Sequence, residues 1–124
     1  MKIGTWTTNC TGFRNLKQYA GFVYLITCKK TNKRYIGCKK FWTKKGKETN
    51  WRVYVSSSGK LKGFDINNPK LYKKDILYLA TSITDMKAYE AYLQLQAYWN
   101  GKWEELFNEM INLRVRIRKT NETK

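Results

Sequence analysis

The sequence predicts an α+β fold, and three observations carry that expectation. Residues 21–27 and 34–37 are two β-branched and aromatic runs divided by a short polar segment, which reads as a hairpin. Residues 73–81 form a further strand-like run. A helical stretch then extends to about Asn100, where Gly101 supplies a stop. The chain is 124 residues long with 42% apolar and 15% aromatic content, enough to bury one core and too hydrophobic for disorder. A single compact domain is expected.

Residues 1–19 mix Thr, Asn, Gly and Lys without clear period and read as an irregular lead-in. After the hairpin, residues 39–47 are basic with Phe41 and Trp42 embedded, an irregular excursion ahead of a short helix. Asn50 is placed to cap that helix, which carries Trp51, Arg52 and Tyr54 and ends at Ser56, Ser57, Ser58 and Gly59. Following the third strand, Thr84 or Asp85 caps the long helix. There Met86, Tyr89, Leu93 and Ala97 fall on one stripe at spacings of three and four. A shorter helix is expected over 103–110. Residues 111–118 alternate apolar and basic, either as a strand turning Arg114, Arg116 and Arg118 outward or as a basic extension that orders on nucleic acid.

Composition narrows the chemistry. Twenty-five Lys plus Arg face nine Asp plus Glu, a net charge of +16. Such a field attracts polyanions and gains affinity by releasing counterions from phosphates, so nucleic acid is favoured over an anionic membrane or a merely solvated basic surface. No stretch approaches the ~20 apolar residues of a membrane span, and no apolar run marks a signal peptide. The chain is expected to be soluble and cytoplasmic, in the cytoplasm of a host cell if it is phage-encoded, with no membrane partner. Cys10, Cys28 and Cys38 are odd in number and widely spaced, and histidine is absent. Zinc sites of the common Cys/His types and every imidazole-based mechanism drop out. Catalysis is left to carboxylate, tyrosine, lysine or metal-bound water.

The informative pair is Tyr24 and Tyr35, separated by ten residues on the two arms of the hairpin. Whether they share a face depends on register. The stretch Phe22-Val23-Tyr24, ten residues, then Tyr35-Ile36-Gly37 resembles the two signature elements of the GIY-YIG nuclease family, at that family's spacing. Phe22 stands where the family's name has glycine, with Gly21 one place earlier. The likeness continues through Ile36 to Trp42, Asn50 to Tyr54 with Ser56 to Ser58, Asp75-Ile76-Leu77, Tyr89-Glu90 with Gln94, and Phe107-Asn108, much as in small phage-encoded homing or free-standing members. It covers roughly residues 20–112 as the nuclease-like domain, leaving 113–124 as a basic extension. The resemblance implies a short, about three-stranded antiparallel sheet flanked by helices, one Mg2+ (or Mn2+) held by a glutamate, and one-step hydrolysis of a phosphodiester. Homing members carry a separate DNA-recognition domain, for which this chain has no room.

Glu90 is the metal candidate. It is the one charged residue between Lys87 and Lys102, on a largely apolar helix. Such an acid is either salt-bridged or holds a metal, and the resemblance favours the metal. Magnesium binds readily to one carboxylate plus waters. By the same resemblance Tyr35, ahead of Tyr24, would act as the base once its phenol is lowered from about 10 by cations such as Lys39 and Lys40. Arg52 sits where the family places a catalytic cation for the scissile phosphate, and Asn108 would support the site. Lys39, Lys40, Trp42, Lys44, Lys45, Arg114, Arg116 and Arg118 are the nucleic-acid-binding candidates, holding phosphates without reading sequence. DNA is the expected substrate and RNA an alternative; a non-catalytic binding module or a structure-specific nuclease would use the same residues. One site per chain suffices to nick, whereas a double-strand break needs a dimer or two visits.

Overall fold

The computed structural model describes residues 1–55 and 64–101. Among these residues five strands form one sheet: β1 (Lys2–Ile3), β2 (Trp6–Thr8), β3 (Gly21–Cys28), β4 (Arg34–Lys40) and β5 (Tyr72–Ala80). Their order across the sheet is β1-β2-β5-β3-β4. One helix, α1 (Ile83–Trp99), packs on β3, β4 and β5. The fold is α+β, with two more strands than the sequence suggested. The added pair sits in the stretch read as an irregular lead-in. Residues 2–8 instead make a hairpin whose second strand runs parallel to β5, pairing Thr7 with Asp75 and Thr8 with Ile76. Strands of two and three residues are too short to show a period in sequence, and they are held by distant segments: the β5 edge, the aromatic core around Trp6 and the Trp51 carbonyl that Trp6 Nε1 reaches.

β3 lies between β5 and β4 and is buried on both faces. Phe22, Tyr24 and Ile26 point to one face, while Val23 and Leu25 point to the other, as a period of two demands. The first face carries an aromatic core of Trp6, Phe22, Tyr24, Phe41 and Trp51. No described helix of the α type covers it. It is closed by Phe13 and Leu16 from the 3-10 turns of Gly12–Gln18, by residues 41–55 and by Ile66. The second face is closed by α1, with Val23, Ile36, Ala80 and Met86 in contact.

β5 reconciles its two halves through a bulge. Val23 pairs with Tyr78 and Tyr24 with Ile76, so Leu77 has no partner on β3. Lys74 and Ile76 face the aromatic core, yet beyond the bulge Tyr78 turns to the helix side and stacks on Tyr89 at 4.1 Å, while Leu79 returns to the aromatic side. The extra residue inverts the parity.

The long helix is capped earlier than the expected Thr84 or Asp85. Ser82 is its N-cap and accepts from the Asp85 amide at 3.0 Å, while Gly101 takes φ +72° just past the end. Met86 is buried and Tyr89 and Leu93 pack on the second core, as their stripe predicted, but Glu90, Ala91 and Gln94 are buried as well. The expected helix around Trp51 is instead a turn in which the Val53 amide donates to the Asn50 carbonyl at 3.2 Å. Its reason is tertiary: the Arg52 carbonyl is taken by Thr5, through both amide and hydroxyl at 2.8 Å, and cannot serve a helix. Residues 41–49 are likewise more ordered than an excursion, with Trp42 bridged to Glu48 and a turn at Gly46. No described helix is long and apolar enough to cross a membrane, and all three cysteines are free. The helix expected over 103–110 and the alternating tail lie outside the described residues.

Candidate active site

Register answers the question that spacing left open. β3 and β4 pair Tyr24 with Gly37 and Ile26 with Tyr35, so the two tyrosines are diagonal neighbours on one face. Their rings lie 6.2 Å apart at 29°. Tyr24 is 1% exposed, whereas Tyr35, on the outermost strand, is half-buried. Gly37 makes this arrangement possible. A Cβ there would lie 2.4 Å from the Tyr24 phenol oxygen and 2.9 Å from the Tyr35 ring, closer than any side chain tolerates.

Lys39, two residues beyond Gly37, lies on the same side. Its Nζ is 4.2 Å from the centre of the Tyr54 ring, and Tyr54 meets Tyr24 edge-on at 6.2 Å. The face thus assembles Tyr24, Tyr35, Tyr54 and Lys39. Tyr54 was not among the sequence candidates; it arrives because residues 50–55 cross the sheet, a path that no local pattern encodes. Lys40 has the opposite parity and is exposed. With Cys38, Lys39, Trp42, Lys44 and Lys87 it borders a shallow depression of about 350 Å³.

Glu90 comes from the other face. It is 7% exposed on α1 and reaches the Cys38 thiol, which donates to its carboxylate. Burial first, and then the Glu90 charge, push the Cys38 thiol up to about 12. One turn later Gln94 donates from Nε2 to the Ile36 carbonyl at 3.2 Å. Glu90 and Gln94 therefore sit side by side against β4 at residues 36 and 38, flanking Gly37 from beneath. Among the described strands β4 is the last of the sheet, and the tyrosine face and the Glu90 face meet around its outer edge.

Arg52 is held elsewhere. Its Nε is 3.1 Å from Glu48 Oε2, the same oxygen that accepts from Trp51 Nε1 at 3.0 Å, and its guanidinium lies 4.6 Å over the Trp51 ring. Among the described residues these are its side-chain partners, and the tyrosines are not with them. The ion pair is half-exposed and is worth about 0–1 kcal/mol, so it restrains the guanidinium weakly. Lys44 and Lys45 are exposed at the tip of the 43–47 turn. Trp42 is half-buried against the aromatic core and donates Nε1 to the Tyr19 carbonyl at 2.8 Å, so it is anchored rather than presented. Asn108, Arg114, Arg116 and Arg118 lie outside the described residues.

No cluster of three or more acidic, cysteine or histidine side chains occurs among the described residues. Among the described residues the carboxylate that α1 brings against β4 is that of Glu90, a hard oxygen donor. Such a donor fits magnesium or manganese, which keep much of their water, better than zinc or calcium.

A family model described as "Putative endonuclease segE, GIY-YIG domain" matches residues 6–99. The match takes in β2, which lies ahead of the 20–112 span expected from the motifs, and runs to the end of α1. No match was found among curated proteins or among solved structures.

Proposed function

Because the chain belongs to the GIY-YIG endonuclease family, we propose that it is a metal-dependent endonuclease hydrolysing phosphodiester bonds of DNA, of the small phage-encoded kind. One observation carries the reading: Tyr24 and Tyr35 are held together over Gly37, beside Lys39 and at a sheet edge that Glu90 approaches from beneath. Tyr35 is the general base, being the half-buried member with access to water, and Lys39 supplies cationic field on its side of the sheet. Tyr24 is buried and orients the pair. Arg52 leaves Glu48 to bind the scissile phosphate with its planar fork. Glu90 would hold one Mg2+ or Mn2+, which when bound adds positive charge against the developing oxyanion. Lys39, Lys40, Lys44 and Lys45 grip phosphates along the strand.

A non-catalytic binding module on the same fold is the second reading. It is favoured by the pairing of Arg52 with Glu48, which keeps that cation off the tyrosines. Cleavage of supercoiled plasmid and of labelled RNA, in magnesium or EDTA at low salt, separates the two. The nuclease reading expects metal-dependent DNA cutting that falls at least 100-fold in Glu90→Ala and in Tyr35→Phe, with DNA binding retained. Equal binding without cutting by any of the three proteins would leave the binding module, and cutting of RNA alone would move the substrate.

A further inference from the structure

Three consecutive carbonyls, those of Arg52, Val53 and Tyr54, trace back to one buried side chain. Lys74 is 4% exposed beneath the aromatic face, and its Nζ donates to the Tyr54 carbonyl, Thr5 Oγ1 and Asn67 Oδ1, each at 2.6 Å. Thr5 relays the first of the remaining two bonds: its hydroxyl donates to the Arg52 carbonyl at 2.8 Å, beside its own amide on the same oxygen. Asn67 relays the other, with Nδ2 on the Val53 carbonyl at 3.1 Å. Because the ammonium can only donate, it fixes which way the Asn67 amide and the Thr5 hydroxyl point, and each bond polarises the next.

An ammonium is costly to bury among neutral oxygens, and an apolar side chain would close the core beside Trp6, whose ring lies 4.1 Å from Nζ, at lower cost. What the ammonium adds is three divergent donors that join residue 5, residues 52–54 and residue 67, segments far apart in the chain. Gly4 lets the first of these approach. At its φ of +59° a Cβ would run into the Arg52 carbonyl.

The carbonyls so held belong to residues whose side chains serve the site. Arg52 carries the guanidinium, and the Tyr54 ring meets Tyr24 edge-on and lies under Lys39 Nζ. With its carbonyl fixed, Arg52 moves by its side-chain torsions alone, and the half-exposed pair with Glu48 opposes that movement weakly.

We propose that Lys74 is a positioning residue of the nuclease, a buried hub that fixes the backbone of residues 52–54 so that Arg52 meets the scissile phosphate from a set point and Tyr54 stays against Tyr24. The role rests on the proposed function of Arg52. Lys74 itself touches neither DNA nor metal. A loose backbone would add the ordering of three residues to each productive encounter, and the loss would fall on turnover more than on DNA binding.

A double-mutant cycle on plasmid cutting by the full chain in magnesium, with rates taken per folded molecule, tests the role. Lys74→Met should lower turnover roughly 10- to 100-fold. Thr5→Val, which keeps the amide bond to Arg52, should lower it less. In an Arg52→Ala background each should cost no more than about twofold, because the guanidinium that they place is gone. Equal losses with and without Arg52 would make Lys74 merely structural and overturn the proposal, as would wild-type turnover in both variants. If Lys74→Met does not fold, Thr5→Val decides by the same comparison. If the wild type cuts no DNA, the nuclease reading falls, and the Arg52 Nε–H resonance decides the positioning. A shift of that resonance in Thr5→Val, with the exposed Arg34 unmoved, keeps it, and an unmoved Arg52 signal overturns it.

Discussion

The two faces of the sheet are built differently. The α1 face is closed by one capped helix, with modest aliphatic contacts at Val23, Ile36, Ala80 and Met86. The aromatic face is closed by turns and loops, and what fixes them is a set of hydrogen bonds between residues far apart in sequence. Trp6 Nε1 donates to the Trp51 carbonyl at 2.7 Å, Thr5 to the Arg52 carbonyl and Lys74 to the Tyr54 carbonyl. A helix satisfies its own backbone, whereas loops lying on a core must find partners across the chain. The candidate chemistry is divided along the same line: Glu90 rides on the self-sufficient helix, while Arg52 and Tyr54 depend on tertiary bonds for their position.

That contrast predicts where the molecule breaks. Trp6→Ala removes a fully buried indole together with the bond that holds Trp51, and should cost about 3–5 kcal/mol by chemical denaturation. Met86→Ala on the helix face should cost about 2–3 kcal/mol; a reversed order would show that the helix face, and not the aromatic one, carries the fold. Gly37→Ala forces a methyl against Tyr24 and Tyr35 and should lose about 1–3 kcal/mol. The same substitution should depress cutting by more than its stability loss explains, and unaltered turnover would mean that the tyrosine pair need not be in register.

Lys74 sharpens the comparison through pH. Burial lowers its ammonium from 10.5 to about 8 in the folded protein. Between about pH 8 and 10.5 the unfolded chain therefore binds more protons than the folded one, and this group makes stability rise with pH across that window. Relative to the alkaline side, the contribution is lost as pH falls through about 8. Lys74→Met should flatten that rise in denaturation curves taken from pH 7 to 10.5, and should cost about 1–3 kcal/mol at neutral pH because three acceptors lose their donor. The smallest effect is expected at Glu48→Gln. Loss of a half-exposed ion pair should change stability by less than about 1 kcal/mol while freeing Arg52. DNA binding tightened a fewfold would follow, and weakened binding would argue that Glu48 positions Arg52 productively.

Much of this was legible in residues 21–40 and 72–101. The hairpin, the third strand and the helix end at Gly101 were visible because each satisfies its pattern locally, through β-branched alternation, a polar turn or a cap. Glu90 stood out as an isolated charge on an apolar stretch. Residues 1–19 and 50–55 were misread for a common reason: β1 and β2 are too short to carry a period, and the Trp51 turn looks helical until Thr5 takes the Arg52 carbonyl. Trp42 looked like a free ring in a lysine-rich loop, yet its N–H is spent on Tyr19.

By itself the sequence determined the fold class, the charge that calls for a polyanion, the absence of imidazole chemistry and the spacing that marks the family, all of which are properties of residue type and short-range order. Tertiary structure decided the rest. Pairing register put Tyr24 and Tyr35 on one face over Gly37, a single bulge at Leu77 reversed which side β5 shows to the helix, and the sheet's last strand separated Glu90 from the tyrosines it is proposed to assist. Register, bulge and edge are relations between segments distant in the chain, and a side chain's face changes with a shift of one residue, which no local pattern records.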